Sequence, residues 1–432
     1  MKTPLHFLFI SNVGLHVDLA WQVQKEGHEV KYYIDEKDER LTGDGFIQKI
    51  TNWRAEVEWA DVIVFDDTNG HGTLAAELRK KGKAVVGGTP YTDRLEDDRG
   101  FGQSELKAAG VNTILSQDFT DFDEGIKYVQ EHPGAYVIKP SGEAQNTKHL
   151  LFVGMEEDGS DVIDLLQTYK KTWANVIKVF QLQKKATGVE VAIGAFFNGH
   201  RFLEPININF EHKKLFPGNV GPSTGEMGTS MLWSKPNKMF NNTLKKLEAK
   251  LDEENFCGYI DINTMVNGNN IYPLEFTSRF GYPTIQIQTD SITTPIGQFL
   301  YDMATGVNAD FKVKKGFSVG VRIVVPPFPF EDKKTYRELS EDAGILFKKH
   351  EQIDGVHIEG VRKINDVWSC AASDGTALIV TGLGATMKQA QTQAYRRIQN
   401  ILIPNMYYRS DIGDRWPEDS DRLLGWGYLS EA

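Results

Sequence analysis

Short strand-like runs alternate with helix-patterned segments through the first ninety residues, and that alternation decides the class of fold. Residues 5–10, 29–34, 60–65 and 84–86 read as buried strands, the first and third of them almost wholly apolar. Between them, residues 17–24 and 74–81 carry helical spacing. Strands joined through helices run parallel, because a parallel neighbour is reached only by a crossover. A doubly wound parallel sheet is therefore predicted at the N-terminus. Ligands of such sheets sit beyond the carboxyl ends of the strands, which singles out residues 11–14 and 66–69.

At 432 residues the chain is long enough for two to four domains with real cores. Its formal charge of −11 argues against nucleic acid or an anionic membrane as partner, since both call for a basic face. The opening apolar run is too short for a signal-peptide core or a membrane span. Cys257 and Cys370 are far apart and form no metal-ligand pair, so a reduced, cytoplasmic setting is expected.

Three stretches carry chemistry. Gly221, Pro222, Ser223, Thr224, Gly225, Glu226, Met227 and Gly228 follow one another, and the glycines remove the Cβ atoms that keep backbone N–H groups from a ligand. Upstream, residues 136–140 end a short apolar strand on Lys139 and Pro140. Downstream, residues 273–283 set Glu275 four positions before Arg279. A carboxylate suits a hard metal ion, and a planar guanidinium suits charge on a transferring phosphoryl group. Asp261 lies inside the apolar run 259–262, where a charge is costly unless paired or metal-bound. Lysine, glycine-rich loop and Glu/Arg strand, in that order, fit an ATP-dependent ligase.

On these residues the chain resembles the phosphoribosylamine–glycine ligase (glycinamide ribonucleotide synthetase) family of the ATP-grasp superfamily. The family's loop reads Gly-Pro-Asn-Thr-Gly-Gly-Met-Gly, from which 221–228 differs at two of eight positions. Glu275-Phe276-Thr277-Ser278-Arg279-Phe280-Gly281 is similar to its Glu-Phe-Asn-x-Arg-Phe-Gly strand, and Asp411-Ile412-Gly413 to its closing Asp-Ile-Gly. The resemblance implies a Rossmann-like domain over 1–109, an ATP-grasp small lobe over 110–190, a large lobe over 191–312 and a small β-rich domain over 313–432. It implies ATP and Mg²⁺ (or Mn²⁺) as cofactors. Lys139, Lys148, Gln181, Glu190 and Arg279 would bind ATP, Lys139 and Arg279 would also be catalytic, and Glu275 and Asp261 would hold the metal. Asn12, Gly14, His212, Lys213 and the run from Gly221 through Pro222, Ser223, Thr224, Gly225, Met227 and Gly228 would meet the substrates. In the implied reaction a carboxylate oxygen attacks the γ-phosphate of ATP, and an amine then displaces phosphate from the acyl phosphate.

Three places depart from the family. Residues 11–17 read Ser-Asn-Val-Gly-Leu-His-Val where the family's Gly-Asn-Gly-Gly-Arg-Glu-His cradles a sugar phosphate. Tyr282, Pro283 and Thr284 replace Asp-Pro-Glu, and Glu226 replaces a glycine. Three readings stand at this point: a phosphoribosylamine–glycine ligase, a same-fold ligase joining a different acid and amine, and a nucleotide-binding protein without turnover. The expected partners are a small-molecule amine and carboxylic acid, with the chain a monomer or homodimer.

Overall fold

The computed structural model describes residues 3–141, 144, 147, 150–307, 311–349 and 353–430. Lys148 lies outside the described residues. At the N-terminus, β1 (His6–Ser11), β2 (Glu29–Ile34), β3 (Val62–Phe65) and β4 (Val85–Val86) form a sheet in the order β2-β1-β3-β4. Every pairing in it is parallel, as the alternation predicts. Phe7, Leu8, Phe9 and Ile10 are fully buried, because a central parallel strand is covered on both faces. α1 (Val17–Lys25) and α2 (His71–Lys80) begin a few residues beyond the carboxyl ends of β1 and β3.

α3 (Pro90–Asp97) opens on a capping box between Thr89 and Thr92, with Pro90 in its first turn; an N-cap of this kind stabilises a helix end by about 1 kcal/mol. Asp98 ends α3 and caps α4 (Arg99–Ala108) by accepting the Phe101 N–H. Beyond this elbow, β5 (Ser116–Phe119), β6 (Tyr136–Pro140), β7 (Phe152–Val153) and β8 (Phe180–Lys184) make a small antiparallel sheet in the order β5-β8-β6-β7. Ile138 and Leu182 face each other in its core under the helices Phe122–Glu131 and Ser160–Thr172. The alternation then turns the next pair, Lys139 and Gln181, to the other face.

The chain continues through β9 (Val189–Asn198), β10 (Ile206–Glu211), a hairpin of β11 (Lys214–Phe216) and β12 (Val220–Ser223), β13 (Gly228–Ser234), β14 (Cys257–Val266), β15 (Ile271–Thr277) and β16 (Phe317–Val324). After β17 (Leu346–Phe347) come β18 (Val356–Ile358), the hairpin β19 (Val361–Ile364) and β20 (Val367–Cys370), and β21 (Thr376–Gly384). Eight of these strands form one antiparallel sheet, ordered β15-β14-β9-β10-β13-β16-β21-β18. Strand alternation divides its functional half cleanly. Val191, Ile193, Ile208, Phe210, Ile260, Ile262 and Phe276 fill a core on one face. Glu190, Asn209, Glu211, Asp261, Asn263, Glu275 and Thr277 share the opposite face, through the pairings Asp261↔Thr277, Asn263↔Glu275 and Asn209↔Ala192. A register shift after Asn263, where Pro273 pairs with Thr264 and Glu275 with Asn263, leaves Leu274 as the extra residue of a bulge directly before Glu275.

Beyond residue 313, β16, β21 and β18 join the same eight-stranded sheet as β9, β10 and β13 to β15. The helix Met387–Ile398, opened by a Thr386–Gln389 capping box, lies close on β21. Gly382 permits this approach, since a Cβ there would stand 2.2 Å from the Ala390 carbonyl oxygen.

Candidate active site

The polar face of β9, β10, β14 and β15 converges on one ammonium group. Lys213 Nζ lies 2.8 Å from Glu275 Oε1, 3.4 Å from Glu190 Oε1 and 3.5 Å from Glu211 Oε2. Burial opposes the Lys213 charge, but the three carboxylates, Glu275 foremost, hold its pKa well above the ordinary lysine value. Reciprocally, Lys213 pulls Glu275 down to about 2 against the cost of burial, with Lys139 and Arg99 assisting. Asn263 Nδ2 donates to Glu211 Oε2 at 2.9 Å, which orients that carboxylate. Lys213 and Glu190 thus join Glu275 in one cluster.

Lys139 approaches from the small sheet. It is buried, and burial first, then repulsion from Arg99, lowers its pKa to about 8, with Glu275 pulling the other way. Its neighbour Gln181 donates to Asp118 Oδ1 at 3.1 Å, while its buried Oε1 has no partner. Arg99, at the start of α4, donates to the Pro140 carbonyl at 3.4 Å and is a second cation beside Lys139 and Glu275. Arg99 follows directly on the Asp98 cap, so the elbow between α3 and α4 sets its side chain beside β6.

Asp261 is buried with Oδ1 unpartnered, and burial together with Glu211 raises its pKa well above the usual carboxylate range. Glu226, which the glycine run carries in place of a glycine, is also buried and raised by the same two causes. Arg279 pairs with Glu96 at 3.1 Å and donates to the Phe280 carbonyl at 3.0 Å. Glu96 in turn accepts the Ser278 N–H at 2.7 Å, so α3 fixes the turn that presents Arg279.

The glycine run begins as the second strand of the β11–β12 hairpin, up to Ser223, and loops through residues 224–227 into β13. The N–H and hydroxyl of Thr224 both donate to the Lys213 carbonyl, at 2.7 and 2.9 Å, and the Met227 N–H donates to His212 O at 2.8 Å. These Thr224 and Met227 groups are engaged within the chain itself. Gly221 is required for a different reason: its φ is +84° and a Cβ would meet the Phe216 ring at 2.4 Å. A C-terminal strap holds the hairpin. Arg409, fully buried, donates to Lys214 O at 2.9 Å and Asn219 Oδ1 at 3.0 Å, and Asp411 accepts the Gly218 N–H at 2.9 Å. Arg415 donates to the backbone carbonyls of Glu190 at 2.9 Å and Glu211 at 3.2 Å. His212 is buried beside Arg415 and Arg409, away from the Lys213 carboxylates; burial and those two cations lower its pKa to about 3.

Asn12 and Gly14 lie at the predicted carboxyl end of β1, but their N–H groups are engaged by side chains. Asn12 N–H donates to Asp66 Oδ1 at 3.2 Å and Gly14 N–H to Ser11 Oγ at 2.6 Å. Ser11 Oγ donates in turn to Asp66, and His16 Nδ1 lies 3.1 Å from the same carboxylate. Burial first, and then Asp67, raise the Asp66 pKa to about 7.

A small β-lobe bearing Lys139, set against the acid-lined face of a larger antiparallel lobe, defines an ATP-grasp protein. Two family profiles match: "Phosphoribosylglycinamide synthetase, ATP-grasp (A) domain" over residues 97–285 and "Phosphoribosylglycinamide synthetase, C domain" over residues 319–415. Together they span well over half of the chain, which belongs to the phosphoribosylglycinamide synthetase family. The phosphoribosylamine–glycine ligase of Neisseria meningitidis serogroup B is 24% identical over 95% of this chain and 99% of its own length. That of Streptococcus pneumoniae is 23% identical over 83% and 84%. Among solved structures, the phosphoribosylamine–glycine ligase of Thermotoga maritima superposes with a TM-score of 0.69 at 20% identity, covering 94% of this chain and 100% of that one. Biotin carboxylase from Campylobacter jejuni superposes with a TM-score of 0.65 at 14% identity over 98% and 97%, an agreement of fold.

Proposed function

We propose that this chain is an ATP-dependent carboxylate–amine ligase of the phosphoribosylamine–glycine ligase type, joining glycine to phosphoribosylamine with release of ADP and phosphate. The observation that carries the reading is the Lys213–Glu275–Glu190–Glu211 cluster facing Lys139 across the two lobes. Lys139 and Arg99 would take the nucleotide phosphates, and Gln181 the base side of the same nucleotide. Glu275, with Glu211 and Asp261 beside it, offers the oxygen donors that Mg²⁺ prefers. Among the described residues no three acidic, His or Cys side chains converge closely enough to hold a metal ion unaided. That suits a cation completed by phosphate oxygens and water, whose contribution would be charge neutralisation at the transferring phosphoryl group.

Positioning and fixed charge do the rest. Arg279, held by Glu96, would face charge developing on the transferring group. The Lys213 ammonium would neutralise the acyl phosphate, and the hairpin that carries it would exclude water. The amine would enter from the Asn12–Gly14 end of β1. The test is Mg²⁺-dependent ADP release with glycine and freshly generated phosphoribosylamine, each omitted in turn. Release that needs both is the expected result; ATP binding without release under any acid and amine would refute ligase turnover.

A further inference from the structure

The turn after Arg279 carries a side chain that the chemistry above leaves without a role. Tyr282 stands where the family has an aspartate. It is 8% exposed, and its ring belongs to the apolar cluster that includes Phe9, Tyr32 and Ile285. Arg322 fixes its backbone by donating to the Tyr282 carbonyl at 3.2 Å. At the tip of this held ring the hydroxyl is buried and has no hydrogen-bond partner among the described residues. A hydroxyl left in that state costs about 1–3 kcal/mol, and folded chains keep few of them.

The groups around the hydroxyl belong to two places already described. On one side stand Asp66 and Asp67, just past β3, and Tyr32 of β2. Asp66 accepts the Asn12 N–H, and Asp67 accepts the Asn12 side-chain amide at 3.3 Å. On the other side stands Arg279, its guanidinium 5.9 Å from the Tyr282 ring centre and its buried Nε also unpartnered among the described residues. Tyr282 thus joins the end of β1, where the amine would enter, to the cation that would face the phosphoryl group. Burial, and then Asp66, push the phenol pKa well above its ordinary value against the pull of Arg279. The group therefore stays a neutral hydroxyl, able both to donate and to accept. Asp66 is already taken by Ser11 and Asn12, and Arg279 is held by Glu96, which leaves the hydroxyl to a ligand. A phosphate would call for a cation there and an ammonium for a carboxylate; a neutral donor and acceptor matches a neutral hydroxyl.

We propose that Tyr282 is a substrate-binding residue whose phenol hydrogen-bonds a hydroxyl of the amine-bearing substrate. This rests on the ligase reading above and adds to it a residue that selects the amine. Tyr282→Phe removes only the oxygen. Steady-state ADP release by wild type and Y282F, with phosphoribosylamine, glycine and ATP varied in turn, is measured beside thermal scans of both proteins. The expected result is a KM for phosphoribosylamine raised about three- to tenfold, the worth of one neutral hydrogen bond, with KM for glycine and ATP unchanged. The thermal midpoint should hold or rise, because the lost hydroxyl has no partner within the protein to forfeit. An unchanged KM for phosphoribosylamine, an equal rise in all three KM values, or a lowered midpoint overturns the inference and leaves the ligase reading intact. Wild-type protein that releases no ADP with both substrates present overturns that reading, and the inference falls with it.

Discussion

Replacing Arg322 with methionine probes how the two loops around the site are held. Arg322 donates to Glu359 at 2.7 and 3.1 Å, to the Glu226 carbonyl at 2.7 Å and to the Tyr282 carbonyl at 3.2 Å. One buried guanidinium therefore ties the glycine hairpin to the turn that follows Arg279. R322M leaves a carboxylate that is 2% exposed without its partner. Breaking a buried pair from one side costs about 3–5 kcal/mol. For a chain of this length, that lowers the thermal midpoint by about 1 °C per kcal/mol, or about 3–5 °C. Removing the orphaned charge as well, in R322M/E359Q, should recover roughly half of the loss or more. Burial already raises the Glu359 pKa against the pull of Arg322. A raised carboxyl contributes stability that is present below its unfolded pKa and lost as pH rises through the folded value. The R322M penalty should accordingly grow from acid to neutral pH. Calorimetric scans of the three proteins at several pH values measure all of this. A midpoint shift below about 1 °C, or a double variant no more stable than the single, would refute the argument.

Lys139 must be charged to meet phosphate, and its pKa is lowered to about 8, so kcat/KM should fall as pH rises through that value; Lys139→Arg should abolish this limb, and Lys139→Ala should abolish ADP release. Glu275→Ala should also abolish turnover, and a wild-type rate would disprove the assignment. Burial and Glu211 raise the Asp261 pKa well above the usual carboxylate range, and a divalent cation competes with a proton for such a group. Asp261→Asn should therefore raise the Mg²⁺ concentration needed for half-maximal rate, and an unchanged Mg²⁺ titration would make Asp261 structural. Arg409→Ala removes the guanidinium that holds the hairpin; a loss of about 3–5 kcal/mol in stability is expected, with a larger fall in kcat than Arg409→Lys, and equal rates in the two variants would dismiss the strap.

The parallel N-terminal sheet was legible because period and order are local properties of the sequence. β14 and β15 were legible for a similar reason: an acid inside an apolar run demands a partner, and Asp261 and Glu275 do share a face. Lys213 was read only as a substrate contact, since its three carboxylates come from positions 190, 211 and 275, which no spacing rule connects. Glycine density signals unusual backbone, but it does not say whether freed N–H groups meet a ligand or a neighbouring strand. The C-terminal region read as strands, yet nothing local states which sheet a strand will join. Arg99, Arg322, Arg409 and Arg415 escaped notice because surface and buried arginines look alike in sequence.

The order in which the sheet is filled has a consequence for synthesis. β13 lies between β10 and β16, so the lobe bearing the acid cluster lacks a neighbour along that strand until residue 324 has been made. Its strap arrives later still, with Arg409 and Arg415. Contacts of such long sequence separation form only after both partners have left the ribosome. A nascent or prematurely terminated chain therefore carries Lys139, Lys213 and Glu275 without the brace that aligns the Lys213 cluster.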